Sequence, residues 1–266
     1  MRGLRFCGGG RVSEAVAVVF LHGIGGSARM WTPQLRSFAV AGFAPVALDL
    51  PGYGTRPPVD AMSFEELAGD VEAEIEQRRL DRPVLVGHSM GGMVVQTMLR
   101  RKPDAYRAAV LSATSPAFGD AAGAFQKKFV ADRLAPLDAG QTMKDMAPGM
   151  VDGMVGPGIV PSSRAFAVEI MSAASEQTYR AAVQCLVSFD ERANLGAIRV
   201  PTLCLAGEHD RNAPAKMMER MAAKIPGARY VCLPGVGHLG NLEALAFDVA
   251  IFGFLDSALA SATVYR

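Results

Sequence analysis

Six short apolar runs, separated by longer stretches with helical periodicity, constrain this chain more than any other feature. They occupy residues 15–21, 43–50, 83–86, 108–111, 200–205 and 229–233. Each run is continuous rather than alternating, the pattern of strands covered on both faces. Apolar runs that alternate with helical segments predict an α/β fold with a mostly parallel sheet. Hydrophobic residues make up 50% of the chain and charged residues 20%, so a large core can form and a disordered chain is excluded.

Helices fit between the runs. Ser63-Phe64-Glu65-Glu66 is a capping box, and Leu67, Val71 and Ile75 continue it as one apolar stripe. Further helices are predicted over 90–101, 214–225 and 242–258. From residue 117 to residue 198 no strand is recognisable. Helical patterns at 123–134, 162–174 and 177–189 flank a Met- and Gly-rich piece, 143–160, that reads as flexible. A crossover between parallel strands needs only about a dozen residues. Residues 117–198 are therefore expected to form a helical cap, or lid, inserted into a core domain made of 1–116 and 199–266.

Charge and cysteine content narrow the partners. Lys plus Arg number 27 and Asp plus Glu 26, a net charge of +1, so no field attracts nucleic acid or an anionic membrane. The apolar run at 15–21 is far shorter than the ~20 residues that span a bilayer. The residues before it lack the apolar stretch of a secretory signal. The four cysteines form no CxxC pair, and Cys204 and Cys232 lie inside apolar runs as buried thiols. A reducing cytoplasm is the expected compartment. The expected partner is a small-molecule substrate, bound by a monomer or homodimer.

The chemistry concentrates where the apolar runs end. Gly87-His88-Ser89-Met90-Gly91 matches G-x-S-x-G between a strand and a helix, the context that makes this pattern informative. A sharp turn there lifts the Ser89 hydroxyl clear of the sheet and leaves the Met90 N–H free to donate to an oxyanion. A serine hydroxyl needs a base. Of the four histidines, His238 follows the sixth run in Gly235-Val236-Gly237-His238, while His88 is expected to point away from the Ser89 side chain. Gly207-Glu208-His209-Asp210 follows the fifth run, and Asp210 completes the order Ser, Asp, His. Glu208 ranks second and is expected to make local contacts.

After the first run, His22-Gly23-Ile24-Gly25-Gly26-Ser27 is a loop whose backbone can approach a substrate closely. It is expected to supply a second oxyanion donor from Ile24, with Gly25 as the alternative, and His22 reads as structural. The loop lacks the lysine of a phosphate-binding loop. No metal-ligand spacing is present and the serine chemistry needs no cofactor. Asp49 and Asp70 read as structural or solvated. Gly25, Trp31, Met146 and Met150 are candidate substrate contacts, although packing beneath the loop is the favoured reading for Trp31. Met143, Met154 and Met171 are further candidates for the pocket wall, and the core of the inserted segment fits all these methionines equally well. Arg133 and Arg164 lie in the insertion, where surface charge is the default reading.

Taken together, "HGIGGS", "DLPGYG", "GHSMGG", "AGEHD" and "GVGHLGNLE" resemble the α/β-hydrolase superfamily across nearly the whole chain. The resemblance implies an eight-stranded, mostly parallel sheet flanked by helices, with residues 4–7 contributing to an antiparallel pair at one edge and a helical cap after the sixth strand. It implies Ser89 as nucleophile, His238 as base and Asp210 as acid. Among its members the chain is most similar to small bacterial esterases and lactonases of the 3-oxoadipate enol-lactonase type. Carbon–carbon hydrolases often carry Asn before the serine and Trp after the histidine, where this chain has His88 and Leu239. Haloalkane dehalogenases and epoxide hydrolases use an aspartate nucleophile. Perhydrolases usually show proline where Gly25 stands. The competing readings are a carbon–carbon hydrolase of meta-cleavage-type diketones, and a lyase, cofactor-free oxygenase or small-molecule receptor on the same scaffold.

Overall fold

The computed structural model describes residues 15–118 and 123–263. Six strands form one sheet: β1 Ala17–Leu21, β2 Ala44–Leu48, β3 Val84–His88, β4 Ala108–Ser112, β5 Thr202–Gly207 and β6 Arg229–Leu233. Their order is β2-β1-β3-β4-β5-β6 and every pairing is parallel. The six apolar runs thus become the six strands. The eight-stranded expectation is met by six among the described residues, and the segment 4–7 lies outside them.

Alternation along the strands builds two cores. On one face Val19, Leu21, Leu85, Ala109, Leu111 and Cys204 pack under α2 Phe64–Gln77, α3 Met90–Arg101 and α8 Ala215–Ala222. On the other, Val18, Phe20, Val84, Val86, Val110 and Leu203 pack under α1 Thr32–Val40 and α10 Ala246–Thr263. Neighbouring residues point to opposite faces and both faces are covered, which is why the runs carry no polar alternation. Cys204 is buried as expected, whereas Cys232 is only half-buried because β6 is an edge strand.

Between β4 and β5 stand four helices, α4 Ala124–Asp138, α5 Met143–Asp152, α6 Pro161–Ser172 and α7 Glu176–Leu186. They share a third apolar cluster that includes Met143, Ala147, Val151, Ile170, Met171 and Tyr179. Ala117 and Asp190 meet in an isolated antiparallel bridge, so the chain leaves and re-enters the sheet region at adjacent points. The flexible reading of 143–160 is corrected for its first half. The Thr142 side chain accepts from the Asp145 amide and the Asp145 carboxylate accepts from the Thr142 amide, a capping box that starts α5 despite Pro148 and Gly149.

Two other element assignments change. The predicted helix at 242–258 is two pieces, the short α9 Gly240–Glu243 and the longer α10. Helix α1, with a proline in its first turn, stands where no helix was anticipated. Trp31 ends the 3-10 turn just before it and is buried, 5.0 Å from the Phe20 ring and 6.2 Å from Phe247 between ring centroids. Among the described residues, no helix is long and apolar enough to cross a membrane.

Candidate active site

The strand order reverses direction at β1 and β3, and the loops after these two strands lie side by side. Leu21 is in register with Gly87, so His22-Gly23 emerges beside His88-Ser89. In open α/β sheets ligands bind at such a switch point, outside the carboxyl ends of the strands. Ser89 sits there with φ 54° and ψ −119°, a conformation that costs a non-glycine residue about 1–3 kcal/mol. The surroundings hold it. Its N–H donates to the Ser112 carbonyl at 2.9 Å, and its carbonyl accepts from Gly92 N–H at 2.9 Å and from the Thr114 hydroxyl at 2.8 Å. Gly91 is required by closeness: a Cβ there would lie 2.4 Å from the Leu21 carbonyl oxygen. Helix α3 can therefore start hard against the end of β1. Met90 opens the helix, so its N–H has no intrahelical acceptor.

His238 and Asp210 come from the ends of β6 and β5. The His238 Nδ1 donates to Asp210 Oδ2 at 2.8 Å, and both residues are about 5% exposed or less. The second carboxylate oxygen of Asp210 accepts from the amides of Asn212 at 2.8 Å and Ala213 at 2.9 Å. Burial pushes the Asp210 carboxyl up. The charge and hydrogen bond of His238 and the two amides outweigh it, and the group lies below the ordinary carboxylate value. Glu208, the competing carboxylate, accepts from the Gly235 amide at 2.8 Å and is exposed.

The loop that carries His238 is held from two sides. Glu243 accepts from the amides of Gly237 at 2.8 Å, Leu239 at 2.9 Å and Gly156 at 2.7 Å. The His238 amide donates to the Met154 carbonyl at 2.6 Å. Residues 154–156 follow α5, so the inserted helices touch the backbone of His238 directly. Sequence reasoning missed Glu243; its only signal was the closing Glu of "GHLGNLE".

A cavity of about 490 Å³ opens above the strand ends, and Gly23, Ile24, His88, Ser89, His238 and Leu239 lie on its wall. Met150, Met154 and Met171 line it from the inserted helices. Met143 is buried in the cluster those helices share, and Met146 packs against that cluster. Two suggested contacts are corrected: Trp31 and Met146 stand off the wall, Trp31 because its indole fills the core between β1 and α10. Gly25 stands just behind the wall, with φ 72° and its missing Cβ 3.4 Å from the Met171 side chain.

The remaining histidines differ sharply. His22 uses both ring nitrogens locally: Nδ1 donates to the Gly23 carbonyl at 2.8 Å and Nε2 accepts from the Leu50 amide at 3.1 Å. His88 is buried with Nδ1 unpartnered among the described residues, its ring 4.9 Å from that of His238 between centroids. Burial first, and the nearby His238 second, pull its pKa down to about 3, so it stays neutral. Asp49 accepts from the Ala28 amide at 2.6 Å and holds the first loop, and Asp70 pairs with Arg56 through two contacts of 2.6 Å. Neither partnership could be read from spacing, because 21 residues separate Ala28 from Asp49.

A parallel sheet covered on both faces, with a strained serine at a switch point and a buried Asp–His pair beside it, defines a hydrolase-type α/β enzyme. The chain belongs to the alpha/beta hydrolase family, whose profile matches residues 18–248. It is 30% identical over 251 residues to the putative carbamate hydrolase RutD of Variovorax paradoxus, covering 91% of this chain and 92% of that one. It is 25% identical to the pimeloyl-[acyl-carrier protein] methyl ester esterase of Legionella pneumophila, covering 88% and 92%. In three dimensions it is similar to the enol-lactonase of Burkholderia xenovorans LB400, with a TM-score of 0.83 at 24% identity over 93% and 94% of the two chains.

Proposed function

We propose that this enzyme hydrolyses a carboxylic ester or lactone of a small molecule through a Ser89–His238–Asp210 triad and an acyl-enzyme. The observation that carries the reading is the buried 2.8 Å Asp210–His238 hydrogen bond on the same cavity as the strained Ser89. His238 takes the proton from Ser89 Oγ as that oxygen attacks the carbonyl carbon. Asp210 keeps the proton of His238 on Nδ1, leaving Nε2 as the base. The amides of Met90 and Ile24 receive the tetrahedral oxyanion; one such donor is worth ~100–1,000-fold in turnover. Collapse expels the alkoxide, which takes the proton from His238. Water, deprotonated by His238, then attacks the acyl carbon and Ser89 Oγ leaves with that proton.

Residues 117–198 act in this reading as the cap over a core of 1–116 and 199–266, with Met150, Met154 and Met171 as adaptable wall. Free thiols at Cys185 and Cys204, both buried, fit a reducing cytoplasm, and a monomer or homodimer suffices because the chain carries every group the chemistry uses. The esterase and carbamate-hydrolase names of the relatives support carbonyl chemistry at this site. The test is turnover of a panel of aryl esters, simple lactones, an enol-lactone and an aryl carbamate by the native protein and by Ser89→Ala. The expected result is turnover of at least one carboxylic ester or lactone that drops at least a thousandfold in Ser89→Ala while circular dichroism is unchanged. Retained activity in the variant, or a panel without any turnover by folded protein, overturns the reading.

A further inference from the structure

The cavity wall has a lopsided charge. Its charged side chains are Arg133 and Arg211, and among the described residues no aspartate or glutamate lines it. Arg211 is exposed, but Arg133 is half-buried on α4. Other arginines of the inserted segment have carboxylates: Arg164 is paired with Asp152 and Arg180 with Asp138. Arg133 has no carboxylate partner among the described residues. Its guanidinium lies 5.3 Å from the Phe129 ring centroid and is paired with the Tyr179 phenol, an aromatic setting that holds the cation but supplies no anion. A half-buried guanidinium with no carboxylate partner keeps donors that a ligand anion can take up in charge-assisted hydrogen bonds.

Helix geometry gives the site a direction. Phe125, Phe129 and Arg133 recur at intervals of four along α4 and all three line the cavity. Phe125 is 63% exposed, and Phe118, Phe125 and Phe129 form a ring cluster with centroids 4.5–6.5 Å apart. Tyr179, beside Arg133, is buried. Along this wall Phe125 and Arg133 are set about 12 Å apart, over two helical turns, so the aromatic and cationic parts of the lining lie in sequence along one helix face.

We propose that the substrate has an apolar body and carries a carboxylate, which Arg133 holds while the body lies against Phe118, Phe125 and Phe129. The inference takes the cavity from the hydrolase reading but does not need the acyl-enzyme chemistry, so the two can fail separately. The probe is 5-phenylpentanoate, compared with its primary amide, which has the same shape and no charge. Binding to Ser89→Ala protein is measured by calorimetry. The carboxylate is expected to bind about tenfold or more tightly than the amide, the scale of one charge-assisted hydrogen bond. Adding Arg133→Gln should abolish that preference, and Arg133→Lys should retain part of it. Equal binding of acid and amide overturns the proposal. So does a preference that survives Arg133→Gln, which would put the carboxylate on another group of the cavity, Arg211 or the oxyanion site. Turnover of 4-nitrophenyl butyrate, an ester with no carboxylate, by the native protein reports on the hydrolase chemistry alone. A carboxylate preference without turnover would keep the anion site and remove the hydrolase reading.

Discussion

At the scale of the residue, single side chains carry opposing demands. Ser89 tolerates a positive φ because a strand-to-helix turn over-determines it, with three hydrogen bonds and the close approach of Gly91 to β1. His88 is held neutral beside His238, and that has a pH signature. Its folded pKa of about 3 lies below the ordinary 6.5, so the unfolded chain binds a proton that the folded one refuses. Its contribution is fully present above pH 6.5 and declines as pH falls from there toward 3. Replacing it by Asn should reduce the acid slope of stability between roughly pH 4.5 and 6.5, a window above the ordinary range of the carboxylates. Urea melts of the two proteins across that window check it; identical slopes would refute the assignment. A residual slope is expected in the variant because burial shifts His22 in the same direction.

Elements act here mainly through their ends. The C-terminal ends of β1, β3, β5 and β6 deliver His22, Ser89, Asp210 and His238 to one edge of the sheet. The short α9 then does the positioning. Glu243 at its end accepts three amides, two from the His238 loop and one from Gly156 of the inserted segment. Glu243→Ala leaves those donors without their anion and is expected to cost roughly 1.5–3 kcal/mol of stability. Since two of the bonds flank His238, turnover should fall more than substrate affinity, and Glu243→Gln should recover part of it because an amide oxygen still accepts. Comparing kcat and KM for the three proteins decides this; a loss confined to KM would assign Glu243 to the cavity wall instead.

For the molecule as a whole, stability is unevenly distributed. β1, β3, β4 and β5 are buried along their whole length, whereas α4 has only Gln126 and Leu137 buried. Local opening follows the density of buried contacts. Native-state hydrogen exchange should therefore find the amides of α4 exchanging much faster than those of the four central strands. The amides of 154–156, tied to Glu243 and the His238 loop, should be slower than α4. Protection of α4 equal to that of β3 would contradict inserted helices that loosen at the Phe125 edge.

What the chain's own order of residues determined is the sheet and the residues gathered at its edge. Continuous apolar runs can be satisfied only by strands covered on both faces, and G-x-S-x-G, Asp210 and His238 each follow such a run, so strand ends alone bring them together. Local signals also placed α2, α3 and α8, through a capping box, a helix start after the turn and an N-terminal proline. Periodicity was silent where the ordering forces are nonlocal or set by a single cap. Helix α5 depends on the Thr142–Asp145 box hidden in a Met- and Gly-rich stretch, and α1 rests on Trp31 and Phe38 filling the space beneath β1. Only the tertiary structure decided that Trp31 belongs to the core, that Arg56 pairs with Asp70 and that Glu243 grips two loops at once. It alone put Arg133 on the cavity wall without a carboxylate partner among the described residues. Those outcomes depend on which distant segments share a volume, and a side chain's charge or size does not encode its neighbours until the chain has closed on itself.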